Sequence, residues 1–100
     1  ENIAPREIDD VLYKHEAILE AAAVGVDDEN YGQEVVACVV LRDGYECGED
    51  ELKAFCEKGV GSYKSPKTIY FMDDLPKGPS GKILRLQLPA LLAKLTAAKS

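Results

Sequence analysis

At 100 residues, 46% of them hydrophobic and 30% charged, the chain is long enough for one core and short for a self-sufficient enzyme of any complexity. Its formal charge of −6 is unlike that of a general nucleic-acid binder, and no apolar run approaches the length that crosses a membrane. Three cysteines, Cys38, Cys47 and Cys56, are an odd number without a C-x-x-C pair, which argues against a disulfide framework and a zinc site and for a reduced, cytoplasmic setting.

The chain opens on Glu1-Asn2-Ile3 rather than Met and shows no apolar signal segment, so it reads as a fragment cut from a longer protein. Pro5 to about Tyr13 is predicted as a helix. Pro suits the first helical position, Glu7, Asp9 and Asp10 favour the positive amino end, and Ile8, Val11 and Leu12 share a face. The single histidine, His15, reads as a helix-end residue. Ile18 to Val26 is a strand, broken by the polar cluster Asp27-Asp28-Glu29-Asn30. Val35 to Leu41, apolar throughout and rich in β-branched types, reads as a central strand covered on both faces, and Asp43-Gly44 as a turn.

A second helix is expected from Glu49 to about Lys58, with acidic residues in its first turn, Leu52, Phe55 and Cys56 on one face, and Lys58-Gly59 at its end. Gly59-Val60-Gly61-Ser62 then reads as a flexible joint. Thr68 to Met72 is a third strand, and a last helix begins near Pro89 with Leu88, Leu91, Leu92 and Leu95 on one side. The order α-β-β-α-β-loop-α predicts a single α+β domain over residues 1–100, a small three-stranded sheet flanked by helices.

Between the third strand and the last helix lies Pro76-Lys77-Gly78-Pro79-Ser80-Gly81-Lys82. Pro fixes φ and Gly opens it to positive values, so the segment is expected to be an ordered loop with Lys82 at its tip. A lysine so presented suits the neutralising of a phosphate or carboxylate; it is also compatible with a solvent-exposed turn lysine of no special role. A Walker-type loop is absent, because only two residues separate Gly78 from Gly81 and Ile83 follows the lysine. Charge follows the same division. Residues 1–61 carry five Lys/Arg against sixteen Asp/Glu, net −11, whereas residues 62–87 carry five against two, net +3. One positive edge on an acidic body fits a small anionic ligand.

Four segments in order resemble the carboxy-terminal lid domain of the adenylate-forming enzymes, which include acyl-CoA synthetases, luciferases and the adenylation domains of peptide synthetases. Glu1-Asn2-Ile3-Ala4-Pro5-Arg6-Glu7-Ile8 is similar to the second half of the hinge-side motif. Ala21 to Asp27 with Tyr31 to Val35 is similar to the first two strands and their connection. Tyr63-Lys64-Ser65-Pro66-Lys67 resembles the Y/F-K-x-P-K segment, and Pro76 to Lys82 with Ile83 and Arg85 resembles the catalytic-lysine motif Pro-Lys-x-x-x-Gly-Lys-I-x-R. The departures are small: Gly78 stands where many members have Thr, and His15-Glu16 where His-Pro is common.

The resemblance implies an AMP-forming acid–CoA ligase, with ATP, a carboxylic acid and coenzyme A as substrates. Lys82 matches the catalytic lysine, carried by a loop that includes Gly81. Lys67 and Tyr31 match positions near the nucleotide end of coenzyme A, where Lys67 would pair with a phosphate and Tyr31 would stack on adenine; a half-buried loop aromatic is the other reading of Tyr31. Glu1 and Asn2 match the hinge-side loop that meets the active site in the second half-reaction. Lys64 and Arg85 read as surface charge or packing. The resemblance further implies a large amino-terminal adenylate-binding domain as partner, holding Mg2+ and the acyl pocket, so that the chain alone is inactive. Nothing after Leu95 resembles a carrier protein, which favours a free-standing acyl-CoA synthetase, and the wording is most similar to fatty-acid or oxalate-type ligases. The alternative from another class is a stand-alone, non-catalytic module that holds a nucleotide or an acidic protein on residues 62–87. An RNA-binding module fits poorly, because adjacent Tyr70 and Phe71 must point to opposite faces of a strand.

Overall fold

The structure, a computed structural model, describes residues 5–28, 30 and 32–99. Helix α1 (Pro5–Leu12) leads into β1 (Ile18–Asp28), which turns back into β2 (Gly32–Leu41); α2 (Glu49–Val60) crosses to β3 (Thr68–Phe71), and a 3-10 turn (Arg85–Gln87) runs into α3 (Leu88–Lys99). The sheet order is β1-β2-β3. β1 and β2 pair antiparallel, from Ile18 opposite Leu41 to Asp28 opposite Gly32, while β2 and β3 pair parallel, from Val36 beside Thr68 to Val39 beside Phe71. This is the α+β domain the element order predicts.

Period-2 patterning in β2 explains why the sheet needs cover on both sides. Val35, Ala37 and Val39 face one way and pack with Ile8 and Leu12 of α1 and Leu52 and Cys56 of α2. Val36, Cys38 and Val40 face the other way and pack with Leu75, Leu88 and Leu92. Two apolar layers therefore enclose the central strand, and Cys38 and Cys56 are both core residues. The alanine run Ala21-Ala22-Ala23 in β1 is buried on both faces too, and its small side chains let neighbouring elements approach the strand closely.

Three sequence expectations are corrected. Residues 59 and 60 are not a joint: α2 continues to Val60 and ends at Gly61, whose N–H donates to the Glu57 carbonyl. β1 extends two residues past Val26 into the acidic cluster, because the β1–β2 ladder continues to Asp28 opposite Gly32. Leu95 does not join the core stripe of α3; it is 45% exposed, while Leu88 and Leu92 are buried.

On each free edge of the sheet one backbone donor is held by a carboxylate. On β3 the Ile69 N–H donates to Glu49 Oε2 at 3.0 Å. On β1 the Ala23 N–H donates to Asp9 Oδ1 at 2.7 Å. Unpaired edge donors invite strand addition, so these contacts guard the sheet as well as tie helices to it.

Candidate active-site lysine

Lys82 stands on a hairpin rather than at the tip of a loop. Residues 78–81 form a reverse turn closed by the Gly81 N–H to the Gly78 carbonyl at 3.0 Å, with Pro79 in the position where a fixed φ is favourable. The return arm pairs with the outgoing one through Gly78 N–H to Lys82 O at 2.9 Å, Leu84 N–H to Pro76 O at 2.8 Å, and a bridge between Lys77 and Ile83. Gly81 has φ +85°, the left-handed value that a turn followed by a bulged residue demands. The tip is therefore Pro79-Ser80, and Lys82 is the first residue of the returning arm, its backbone held and its side chain exposed.

The hairpin is fastened at three points. Leu75 and the partly buried Ile83 sit in the apolar layer beneath the sheet. Lys77 bridges Asp74 at 2.6 Å and Glu20 of β1 at 3.0 Å, and also donates to the Leu75 carbonyl at 3.2 Å. Hydrogen bonding to Lys77 lowers the Asp74 pKa, and the bonds to Asp74 and then Glu20 raise that of Lys77. Arg85 forms the third fastening, with Nη2 on Asp9 Oδ2 and Nη1 on the Ala23 carbonyl, both at 2.6 Å. Asp9 is only 8% exposed, so removing Arg85 and leaving that carboxylate unpaired should cost about 3–5 kcal/mol.

Among the described residues Lys82 has no ion pair and no side-chain hydrogen bond, in contrast to Lys77 five positions earlier. Beside it opens a groove of ≈ 520 Å³ lined by Arg6, Lys82, Arg85 and the exposed Leu86 among others. With Arg85 neutralised by Asp9, Arg6 and Lys82 supply the positive charge there, which suits an anion. A divalent cation does not fit this groove, since its lining offers no carboxylate and both oxygens of nearby Asp9 are engaged.

The other candidate residues lie elsewhere. Lys67 is exposed at the entry to β3, where its N–H donates to the Val35 carbonyl, so it sits at the opposite edge of the sheet from the strand that anchors the Lys82 hairpin. Lys64 pairs with Glu7 at 3.3 Å on the surface. Glu1, Asn2 and Tyr31 lie outside the described residues. Asp9 was the residue that sequence reasoning missed, although a signal existed: an acid flanked by Ile8 and Leu12 on an apolar helix face must find a cation.

His15, Cys47 and Glu51 form a separate cluster whose ligand atoms lie within 4.8 Å of one another. His15 Nε2 meets Glu51 Oε2 at 3.0 Å, and its ring packs edge-on against Phe55. The Ala17 N–H donates to His15 Nδ1 at 3.1 Å, so in the neutral ring the proton resides on Nε2. The nitrogen facing the thiol and carboxylate therefore donates to Glu51, and a metal there would require the ring to give up its bond to Ala17. The cluster works as a brace between the end of α1 and α2.

Comparison with known proteins identifies the family. Residues 7–82 match the family described as the AMP-binding enzyme C-terminal domain. The chain is 56% identical over 88 residues to a sulfoacetate–CoA ligase of Cupriavidus necator, covering 88% of this chain and 17% of that protein. It is 47% identical over 92 residues to a 2-succinylbenzoate–CoA ligase of Geobacillus, covering 92% of this chain and 19% of the relative. Among solved structures, the acyl-CoA synthetase of Brucella canis superposes with a TM-score of 0.86 at 35% identity, over 96% of this chain and 18% of that one. The chain belongs to the AMP-binding enzyme C-terminal domain family, the carboxy-terminal domain of adenylate-forming enzymes, and it spans less than a fifth of the length of these relatives.

Proposed function

We propose that residues 1–100 are the mobile lid of an ATP-dependent, AMP-forming acid–CoA ligase and that Lys82 is its catalytic lysine. The observation that carries the assignment is a cation without a partner among the described residues, held on a hairpin whose other lysine is fully engaged. In the first half-reaction a substrate carboxylate oxygen attacks the α-phosphorus of ATP, forming the acyl-adenylate and expelling pyrophosphate. Negative charge gathers on the carboxylate and α-phosphate oxygens, and the Lys82 ammonium is suited to stabilise it without reorganising, because the Gly/Pro hairpin fixes its base.

In the second half-reaction the lid turns to present another face, and the coenzyme A thiol displaces AMP from the adenylate. Lys67 is assigned to that face, pairing with a coenzyme A phosphate, with Tyr31, Glu1 and Asn2 as the remaining assignments; its exposure at the far edge of the sheet from the hairpin's anchor strand supports the assignment. Gly81 contributes through the hairpin's shape. Mg2+, ATP's base and ribose, and the acyl pocket are assigned to the amino-terminal domain, as is the choice of acid, so the isolated lid is inactive. The reading places the ligase in the cytoplasm.

The test is Lys82→Ala in the full-length ligase. ATP–pyrophosphate exchange should fall about 10²–10³-fold, while thioester formation from supplied acyl-adenylate continues. Equal loss of both steps would overturn the assignment.

A further inference from the structure

We propose that Asp9, Arg85 and the backbone of Ala23 form a clamp whose task is to set the position of Lys82, with Arg85 a positioning residue for the adenylation step. The inference rests on the catalytic reading of Lys82.

Arg85 lies three residues beyond Lys82, at the point where the returning arm of the hairpin becomes the 3-10 turn. Its guanidinium reaches two acceptors at 2.6 Å, the Asp9 carboxylate and the Ala23 carbonyl. The second Asp9 oxygen accepts the Ala23 N–H at 2.7 Å, which closes a ring of three bonds through a helix, a strand edge and the hairpin. A planar fork is the cationic group suited to two acceptors in fixed directions, and lysine is not a substitute for it. The strand edge supplies an accurate reference because Ala23 is fully buried in the sheet layer, opposite Ala37.

These contacts contribute to stability, but their place in the hairpin also fixes a position. The Leu75, Ile83 and Lys77 anchors already hold the outgoing arm and the sheet side of the hairpin. Ile83 and the Leu84 N–H hold the two residues that follow Lys82, and beyond them, among the described residues, Arg85 supplies the side-chain bonds that tie the 3-10 turn to α1 and β1. Without it the lysine's arm would still be attached but could shift relative to the sheet, and displacements near 1 Å are costly for a group that acts by preorganised charge.

The experiment compares Arg85→Met, Arg85→Lys, Lys82→Ala and the Lys82→Ala/Arg85→Met double variant in the full-length ligase. Pyrophosphate exchange is measured beside thioester formation from supplied acyl-adenylate. Arg85→Met should lower kcat for exchange about tenfold to a hundredfold, with KM for ATP and the thioester rate each within about twofold of the parent. Arg85→Lys, which can keep the ion pair but not the fork, should recover part of the loss. Because Arg85 acts through Lys82, the double variant should exchange no more slowly than Lys82→Ala alone. An unchanged exchange rate in Arg85→Met, an equal fall in both half-reactions, or a further fall in the double variant would each overturn the clamp. If Arg85→Met does not fold, Arg85→Lys decides: a selective loss of exchange supports the clamp and an unchanged rate overturns it. Exchange that survives Lys82→Ala would instead remove the catalytic reading itself, whereas loss in Lys82→Ala with none in Arg85→Met removes the clamp only.

Discussion

Gly59 of α2 lies against Val11 of α1 so closely that a Cβ on the glycine would stand 2.6 Å from Val11 Cγ1 and 2.7 Å from Cγ2. Two effects oppose each other when alanine is placed there. Helix propensity favours alanine over glycine by about 1 kcal/mol, while overpacking a closely packed contact costs about 1–3 kcal/mol. Both methyls of a β-branched side chain are in the way, and Val11 has one strongly preferred rotamer on its helix. The clash should win. Gly59→Ala is expected to lower the denaturant midpoint at constant slope, and adding Val11→Ala should restore part of the loss. A raised midpoint in Gly59→Ala would show that the helices separate at no cost.

Gly81 poses a different constraint, since nothing lies within 4 Å of its Cβ direction but its φ is +85°. The penalty for a side chain is therefore backbone strain alone, about 1–2 kcal/mol for an ordinary residue and least for asparagine. If the full-length protein is the ligase proposed above, substitutions should rank Gly, then Asn, then Ala, then Val in its pyrophosphate exchange. An alanine variant indistinguishable from the parent would mean that the turn before Lys82 does not depend on this geometry.

Sequence reading succeeded where one local rule acted alone. β2 was legible because an unbroken apolar run has to be buried on both faces, and α1 because Pro5, Glu7 and the Ile8–Leu12 pair agree. It failed where a residue type has two uses. Gly59 reads as a helix stop, yet it is small to admit Val11, and the true end is two residues later. The segment Pro76 to Lys82 was singled out by its resemblance, but its hairpin pairing was not, since the Lys77–Ile83 bridge spans a turn of unpatterned residues. Arg85 read as surface charge or packing because its partner Asp9 is 76 positions away, and no local pattern reports a contact of that separation.

The pH response of the hairpin anchor follows from Lys77. Its contact with Asp74 lowers the carboxyl's pKa, so that contribution is complete above the ordinary value of 3.8 and fades as acid protonates Asp74 below it. The same contact, with Glu20, raises the lysine's pKa, so its contribution is complete below 10.5 and fades as the pH climbs beyond that value. Lys77→Met should therefore reduce stability across the interval between those limits, and converge on the parent outside it. Because Asp74 is exposed, added salt should narrow the difference. A difference that persists unchanged at both pH extremes would assign Lys77 a packing role instead.

Thiol chemistry should distinguish Cys47 from the two core cysteines. Burial raises all three thiols to about 11, with the Glu51 carboxylate adding to the effect at Cys47. The thiolate is the nucleophile, so each is almost wholly protonated at neutral pH and reacts slowly there. Access then decides the order. Cys38 and Cys56 are fully buried, while Cys47 is partly exposed beside His15. Iodoacetamide should label Cys47 first, at a rate that rises about tenfold per pH unit while the pH stays below the thiol's pKa. Cys38 and Cys56 should react only as fast as the fold opens, so their labelling should accelerate sharply with denaturant while that of Cys47 changes little below the unfolding transition. Peptide mass spectrometry after timed quenching reads all three. Equal labelling of Cys56 and Cys47 in the native protein would mean that α2 leaves the sheet far more often than its Leu52 and Cys56 contacts imply.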